Sequence, residues 1–234
     1  MSKPLEAPGR PLPDADHRWL WTPADGAAEP WYRIYHRGPH TPDGVTFRAH
    51  GPLARFDHHT PPFGEPAMDP DGRSVIYLGV DLATAACEVF GEAGVAPLCS
   101  NWRVARVRPV REIDTYDLDE PGAAMAIGAL PALATGHEDR DLTQQWARAI
   151  YEDQPAATKV EGIHYRSAYR GGRSLALWNC SGDVEVATNL HGQPLDLPLH
   201  RNPGRGLLLK ALRGTNIPVT PVPDADCVKC RGAA

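Results

Sequence analysis

The chain has 234 residues and a formal net charge of −5, with 42% hydrophobic and 23% charged residues. That length and balance suit one decorated domain with a buried core, and exclude a dedicated nucleic-acid binder, which would carry a strongly basic face. The chain has no apolar run long enough to span a membrane, no apolar leader near its start, and an odd, scattered set of five cysteines, so a reduced cytoplasmic protein is expected.

Residues 1–29 are proline-rich and without period, an N-terminal arm that Trp19 and Trp21 could anchor. Trp31–Tyr35 is aromatic and β-branched and predicts the first strand, with Arg33 at its centre, where an inward guanidinium needs an anion. A long loop-rich stretch over 38–71 carries Arg55, His50, His58 and His59. Adjacent histidines do not present both rings to one ion, so no metal site is expected there.

The stretch Ser74–Phe90 organises the rest. Val75, Ile76, Tyr77 and Leu78 predict a buried strand ending at Gly79. Asp81 is placed to cap a helix whose apolar stripe is Leu82, Ala85, Ala86 and Val89. Glu88 falls at the shoulder of that stripe, so Tyr77 and Glu88 can face one cleft.

Alternation over Asn101–Ile113 predicts another strand, and Gly122–Leu133 a short helix broken at Pro131. Asp141–Ile150 reads as a helix capped by Asp141, with Thr143 in a first turn that favours an anion or polar ligand. Strands follow at 162–168, 175–179 and 184–188, then a short helix at 206–213. Cys227-Val-Lys-Cys230 is half of a zinc motif with no second half in sequence, which points to incidental tail thiols and no metal. The expected organisation is an arm over 1–29, one catalytic domain over 30–215 and a tail over 216–234.

The ordered set Tyr32-Arg33, Ala54-Arg55-Phe56, Ile76-Tyr77-Leu78, Ala86-Cys87-Glu88, Thr143-x-x-Trp146-Ala147 and Gly162-Ile-x-Tyr-x-Ser167 resembles the RES-domain family over about residues 31–180. The family's usual Gly-Arg-Trp is Ala54-Arg55-Phe56 in this chain, and Thr143 stands where a serine is common. The resemblance implies an α+β fold similar to ADP-ribosyltransferases, with a mixed core of small β-sheets and flanking helices. It also implies a toxin of a toxin–antitoxin pair that consumes NAD by breaking the nicotinamide–ribose bond, with water or phosphate as acceptor. NAD is then substrate and no cofactor is held. The implied partner is an Xre-type antitoxin over the cleft, without a membrane or direct nucleic-acid role; homo-oligomerisation stays open.

In that chemistry positive charge builds on the ribose carbon, and Glu88 is the carboxylate placed to stabilise it. Tyr77 stacks on the cationic nicotinamide, Arg33 grips phosphate or ribose oxygens, and Arg55 adds a second phosphate contact from a mobile loop. Thr143 and Ser167 complete the expected substrate contacts. A mono-ADP-ribosyltransferase acting on a macromolecule uses the same residues, and an inactive binding module is a further alternative. No Gly-x-Gly-x-x-Gly follows a strand, so a dehydrogenase is not expected.

Overall fold

The structure, a computed structural model, describes residues 4–23, 31–136 and 139–232. The arm's residues 1–3 and 24–29 and the last two residues of the tail lie outside the described part. The strands are β1 (Arg18–Trp21), β2 (Trp31–His36), β3 (His50–Gly51), β4 (Ala67–Met68), β5 (Val75–Gly79), β6 (Ala96–Leu98) and β7 (Trp102–Pro109). They continue as β8 (Ile113–Asp117), β9 (Gly162–Arg166), β10 (Arg173–Trp178), β11 (Val184–Val186), β12 (Asp196–Pro198) and β13 (Val219–Pro221). The helices are α1 (Leu82–Phe90), α2 (Ala123–Ala126), α3 (Ala132–Thr135), α4 (Arg140–Asp153), α5 (Gly204–Ala211) and α6 (Val228–Arg231).

The fold is α+β, as expected: a mixed sheet with helices on its flanks. Among the described residues nine strands join in the order β1-β8-β9-β10-β5-β2-β7-β11, with β12 also pairing on β7. Neighbours run antiparallel except β8 and β9. The join between β5 and β2 is a single register pair, Tyr32 with Gly79, whereas β2 pairs with β7 along its whole length. The small sheets implied by the resemblance are therefore two halves meeting at a narrow seam. That seam positions the site.

The strand predicted over Asn101–Ile113, with Pro109 near its end, is β7, which stops at Pro109; β8 begins only at Ile113 and lies near the opposite end of the sheet order. The break falls at Pro109–Glu112, where Arg111 leaves the ladder and pairs with Glu161 at 2.8 Å and Asp183 at 2.7 Å. A strand proline removes a ladder donor, and the corner follows it.

Helix α1 leaves β5 through a tight approach. A Cβ on Gly79 would lie 2.6 Å from the Ala85 backbone nitrogen, so only glycine lets strand and helix meet this closely. Asp81 caps α1 as predicted, accepting from the Thr84 N–H at 2.6 Å. The buried face of α1 is Ala83, Ala86, Cys87 and Phe90 with Thr84 and Ala85, and Val89 is exposed. The stripe drawn from sequence was thus displaced by part of a turn.

Helix α4 begins at Arg140, and its cap is Asp139, two residues before the Asp141 predicted to cap it; Asp139 accepts from the Asp141 N–H at 2.9 Å. Trp146, Ala149 and Ile150 bury in the core with Phe56, Tyr165 and Trp178. The arm straps across this helix: Arg10 pairs with Glu152 and Asp153, and the Leu12 N–H donates to Asp153 at 2.9 Å. At the other end β13 runs parallel to β6, so residues 219–221 extend a small sheet.

Candidate active site

A cavity of about 400 Å³ runs along the seam, with most of β2 and β5 in its walls. Arg33 of β2, Tyr77 of β5, Glu88 of α1 and Tyr165 of β9 all line it. Ala85, Glu88 and Val89 face it together because positions three and four apart share one side of a helix. The local path β5–Gly79–Asp81–α1 therefore carries both the tyrosine and the glutamate to one hollow, across from the arginine.

Arg33 is half-buried, and burial pulls its pKa down to about 10, so it stays charged at neutral pH. Its Nη1 is buried with no hydrogen-bond partner among the described residues. Glu88 also keeps a buried carboxylate oxygen, Oε1, without a partner. Polar atoms in this state are expensive unless something pairs with them. Burial, and then the Glu88 carboxylate beside it, push the Tyr165 hydroxyl well above its ordinary pKa, so it remains a proton donor.

The Tyr77 ring is fixed by its hydroxyl, which donates to Asp57 Oδ1 at 2.7 Å and accepts from the Phe56 N–H at 3.1 Å. Burial and the Asp57 carboxylate hold this phenol neutral, far above its usual range. Asp57 is itself completely buried and is the hub of the wall. It accepts from Arg48 Nη2 at 2.6 Å, the Leu53 N–H at 2.5 Å and the Ala54 N–H at 3.0 Å. Sequence reading passed over Asp57. Its neighbours His58 and His59 drew attention, and nothing local announces that Arg48 and Tyr77 converge on it.

The segment 53–57 is pinned, contrary to the mobile loop expected of it. Gln144 Nε2 donates to the Ala54 carbonyl at 3.0 Å, Arg55 Nη2 to the Leu133 carbonyl at 3.0 Å, and Trp178 Nε1 to the Phe56 carbonyl at 3.0 Å. Arg55 does not line the seam cavity. It faces a second hollow of about 620 Å³, bounded also by Arg140, Gln144 and Tyr169, and Leu53 borders both. Two of its guanidinium nitrogens, Nε and Nη1, have no partner among the described residues.

Two expected contacts fall elsewhere. Thr143 is fully buried, its hydroxyl donates to the Arg140 carbonyl at 2.9 Å, and it lines neither hollow. Gln144, the next residue and itself buried, lines the second hollow in its place. Ser167 is buried with its Oγ accepting from the Arg170 N–H at 3.3 Å, which closes the turn between β9 and β10.

Two histidines of the long loop, His58 and His59, are buried parts of the core wall. His58 is buried against Tyr151 and Trp178, with ring centroids 4.3 and 5.0 Å away, and burial drives its pKa well below the usual value. His59 Nε2 donates to the Arg48 carbonyl at 3.1 Å. Cys227 and Cys230, expected to be unconnected tail thiols, meet His36 and Cys99 instead. His36 Nε2 lies 3.2 Å from Cys99 Sγ, 3.8 Å from Cys227 Sγ and 3.4 Å from Cys230 Sγ. The partners come from 63 and more residues away in sequence, too far for any motif to show them.

The fold is mixed α+β, and a cavity at the sheet seam gathers a guanidinium and a carboxylate around a fixed tyrosine. The RES domain family model matches residues 30–200, and the chain belongs to that family. Among solved structures, the chain is similar to one in the crystal structure of the M.tuberculosis MbcT-MbcA toxin-antitoxin complex. Identity is 16% and the TM-score 0.46, over 77% of this chain and 89% of that one. No curated protein matches it.

Proposed function

We propose that the chain is an NAD-consuming enzyme that breaks the nicotinamide–ribose bond, with a catalytic unit over 30–215. One observation carries the reading: a cationic guanidinium and a carboxylate, each with an unpartnered buried atom, share one cavity with an immobilised tyrosine ring. NAD supplies the matching chemistry of an anionic pyrophosphate, a ribose and a cationic aromatic ring.

The bonding pair of the glycosidic bond leaves with nicotinamide, and the ribose carbon becomes electron-poor. The Glu88 carboxylate stabilises that charge, which exists only as the bond breaks, so its effect falls on the barrier more than on binding. Tyr77 offers its ring face to the cationic nicotinamide of bound NAD, holding the ring in place until it leaves as neutral nicotinamide. Arg33 holds phosphate or ribose oxygens through its planar fork. The second hollow, with Arg55 facing it, takes the other end of the dinucleotide. Thr143 and Ser167 are assigned no contact with substrate. Water or phosphate then attacks the ribose carbon and loses a proton.

RES-domain membership supports a toxin whose damage is NAD loss, held in check by an antitoxin covering the seam cavity. Incubating the purified chain with NAD labelled in its ADP-ribose part tests the reaction. Free nicotinamide with soluble ADP-ribose or its phosphate ester is the expected result. Label retained on a macromolecule would assign transfer instead, and intact NAD would refute the reading.

A further inference from the structure

Helix α6 poses a packing problem. It has four residues, none of them buried, and Val228 is 76% exposed. A helix this short does not form in water on its own. Its anchors are Asp224, which accepts from the Ser100 N–H at 2.8 Å, and the two cysteines, Cys227 at the helix start and Cys230 within it.

Those cysteines complete a four-donor cluster whose ligand atoms all lie within 4.8 Å of one another. Bond lengths of about 2.3 Å to sulfur and 2.0 Å to nitrogen put ligand atoms in a tetrahedral zinc site about 3.5–3.8 Å apart. The separation of Cys99 Sγ from Cys230 Sγ is 3.7 Å, and the nitrogen–sulfur separations run from 3.2 to 3.8 Å.

We propose that His36, Cys99, Cys227 and Cys230 form a structural Zn²⁺ site that clips the C-terminal segment to the wall of the seam cavity. Three thiolates and an imidazole are a soft set that selects zinc over magnesium or calcium, and four protein ligands leave no position open for catalysis. The surroundings suit bound thiolates. Asn101 Nδ2 donates to Cys230 Sγ at 3.4 Å. A disulfide between Cys99 and Cys230 would need the sulfurs about 2.05 Å apart and would leave Cys227 and His36 with no role. The donors also stand too close together to enclose a cluster of several irons.

The clip has a consequence for the cavity. Lys229, between the two cysteines, lines the cavity, and His36 lies on the same strand as Arg33. Zinc therefore fixes a cationic side chain at the cavity wall and ties the end of β2 to a segment almost two hundred residues later.

Metal analysis of the full chain, purified under reducing conditions, tests the proposal. One zinc per chain is expected, falling at least tenfold in Cys99→Ser and Cys230→Ser and unchanged in Cys180→Ser, a buried thiol in a different part of the core. Because a variant could misfold, the parent is also loaded with Co²⁺, which should give thiolate charge-transfer bands and tetrahedral d–d absorption. No metal retained after incubation with excess zinc, iron in its place, octahedral cobalt, full zinc in Cys99→Ser, or a Cys99–Cys230 disulfide in the metal-free chain would each overturn it. None of these readouts depends on NAD turnover, so the site and the enzymatic reading can fail separately.

Discussion

Asp57 does more for the cavity than any residue that touches substrate in the proposed reaction. A fully buried carboxylate is tolerable only when paired, and Asp57 is paired with Arg48, Tyr77 and two backbone N–H groups. Asp57→Asn removes the charge while Arg48 remains, and should cost about 3 kcal/mol of stability. Urea denaturation measures it, and an unchanged midpoint would show that the hub is dispensable. Arg33→Lys tests the fork at the other wall. A lysine keeps the charge but not the planar donors, so NAD affinity should fall at least about tenfold with the fold intact, by calorimetric titration. Affinity equal to the parent would mean that Arg33 faces no oxyanion.

Elements explain which parts of the site the sequence disclosed. Tyr77 and Glu88 are linked by one strand, one cap and about two turns of helix, so short-range rules sufficed to bring them together. Arg33 stood out because a charged residue sits mid-strand among aromatics. Thr143 and Gln144 point about 100° apart around the helix, and the tertiary packing of α4, which sequence does not disclose, sets Gln144 and not Thr143 against the second hollow. Asp57 and the His36–Cys99–Cys227–Cys230 cluster were hidden for a different reason. Their partners are joined only through the sheet order, and periodicity carries no long-range register. The contact between β5 and α1 gives its own prediction. Gly79→Ala forces a methyl group into the Ala85 backbone and should destabilise by about 1–3 kcal/mol while displacing Glu88. Thermal melting with an NAD assay checks both effects, and a variant as stable and as active as the parent would show that the helix can shift freely.

The whole molecule should be acid-sensitive well above the carboxylate range. Burial, with His59, Arg73 and Arg148 adding to it, holds the His58 pKa well below normal, and burial lowers that of His59. An unfolded histidine titrates near 6.5. Below that pH the unfolded chain takes up protons that the folded chain refuses, so stability falls as pH falls, by up to about 1.4 kcal/mol per unit per histidine. Urea midpoints should drop between about pH 7 and pH 5.5, and His58→Phe should flatten the slope. A flat profile in the parent would mean that these imidazoles are reached by water. At the same scale, the narrow seam between two half-sheets is what leaves room for a ligand between Arg33, Tyr77 and Glu88. Fusing the halves with a full ladder would close it.

NAD consumption by the purified parent chain, measured beside Glu88→Gln, tests that arrangement most directly. The substitution keeps the shape of the side chain and removes its charge. The parent should degrade NAD, and Glu88→Gln should do so at least about a hundredfold more slowly with an unchanged melting temperature. Equal rates in the two proteins would contradict the account.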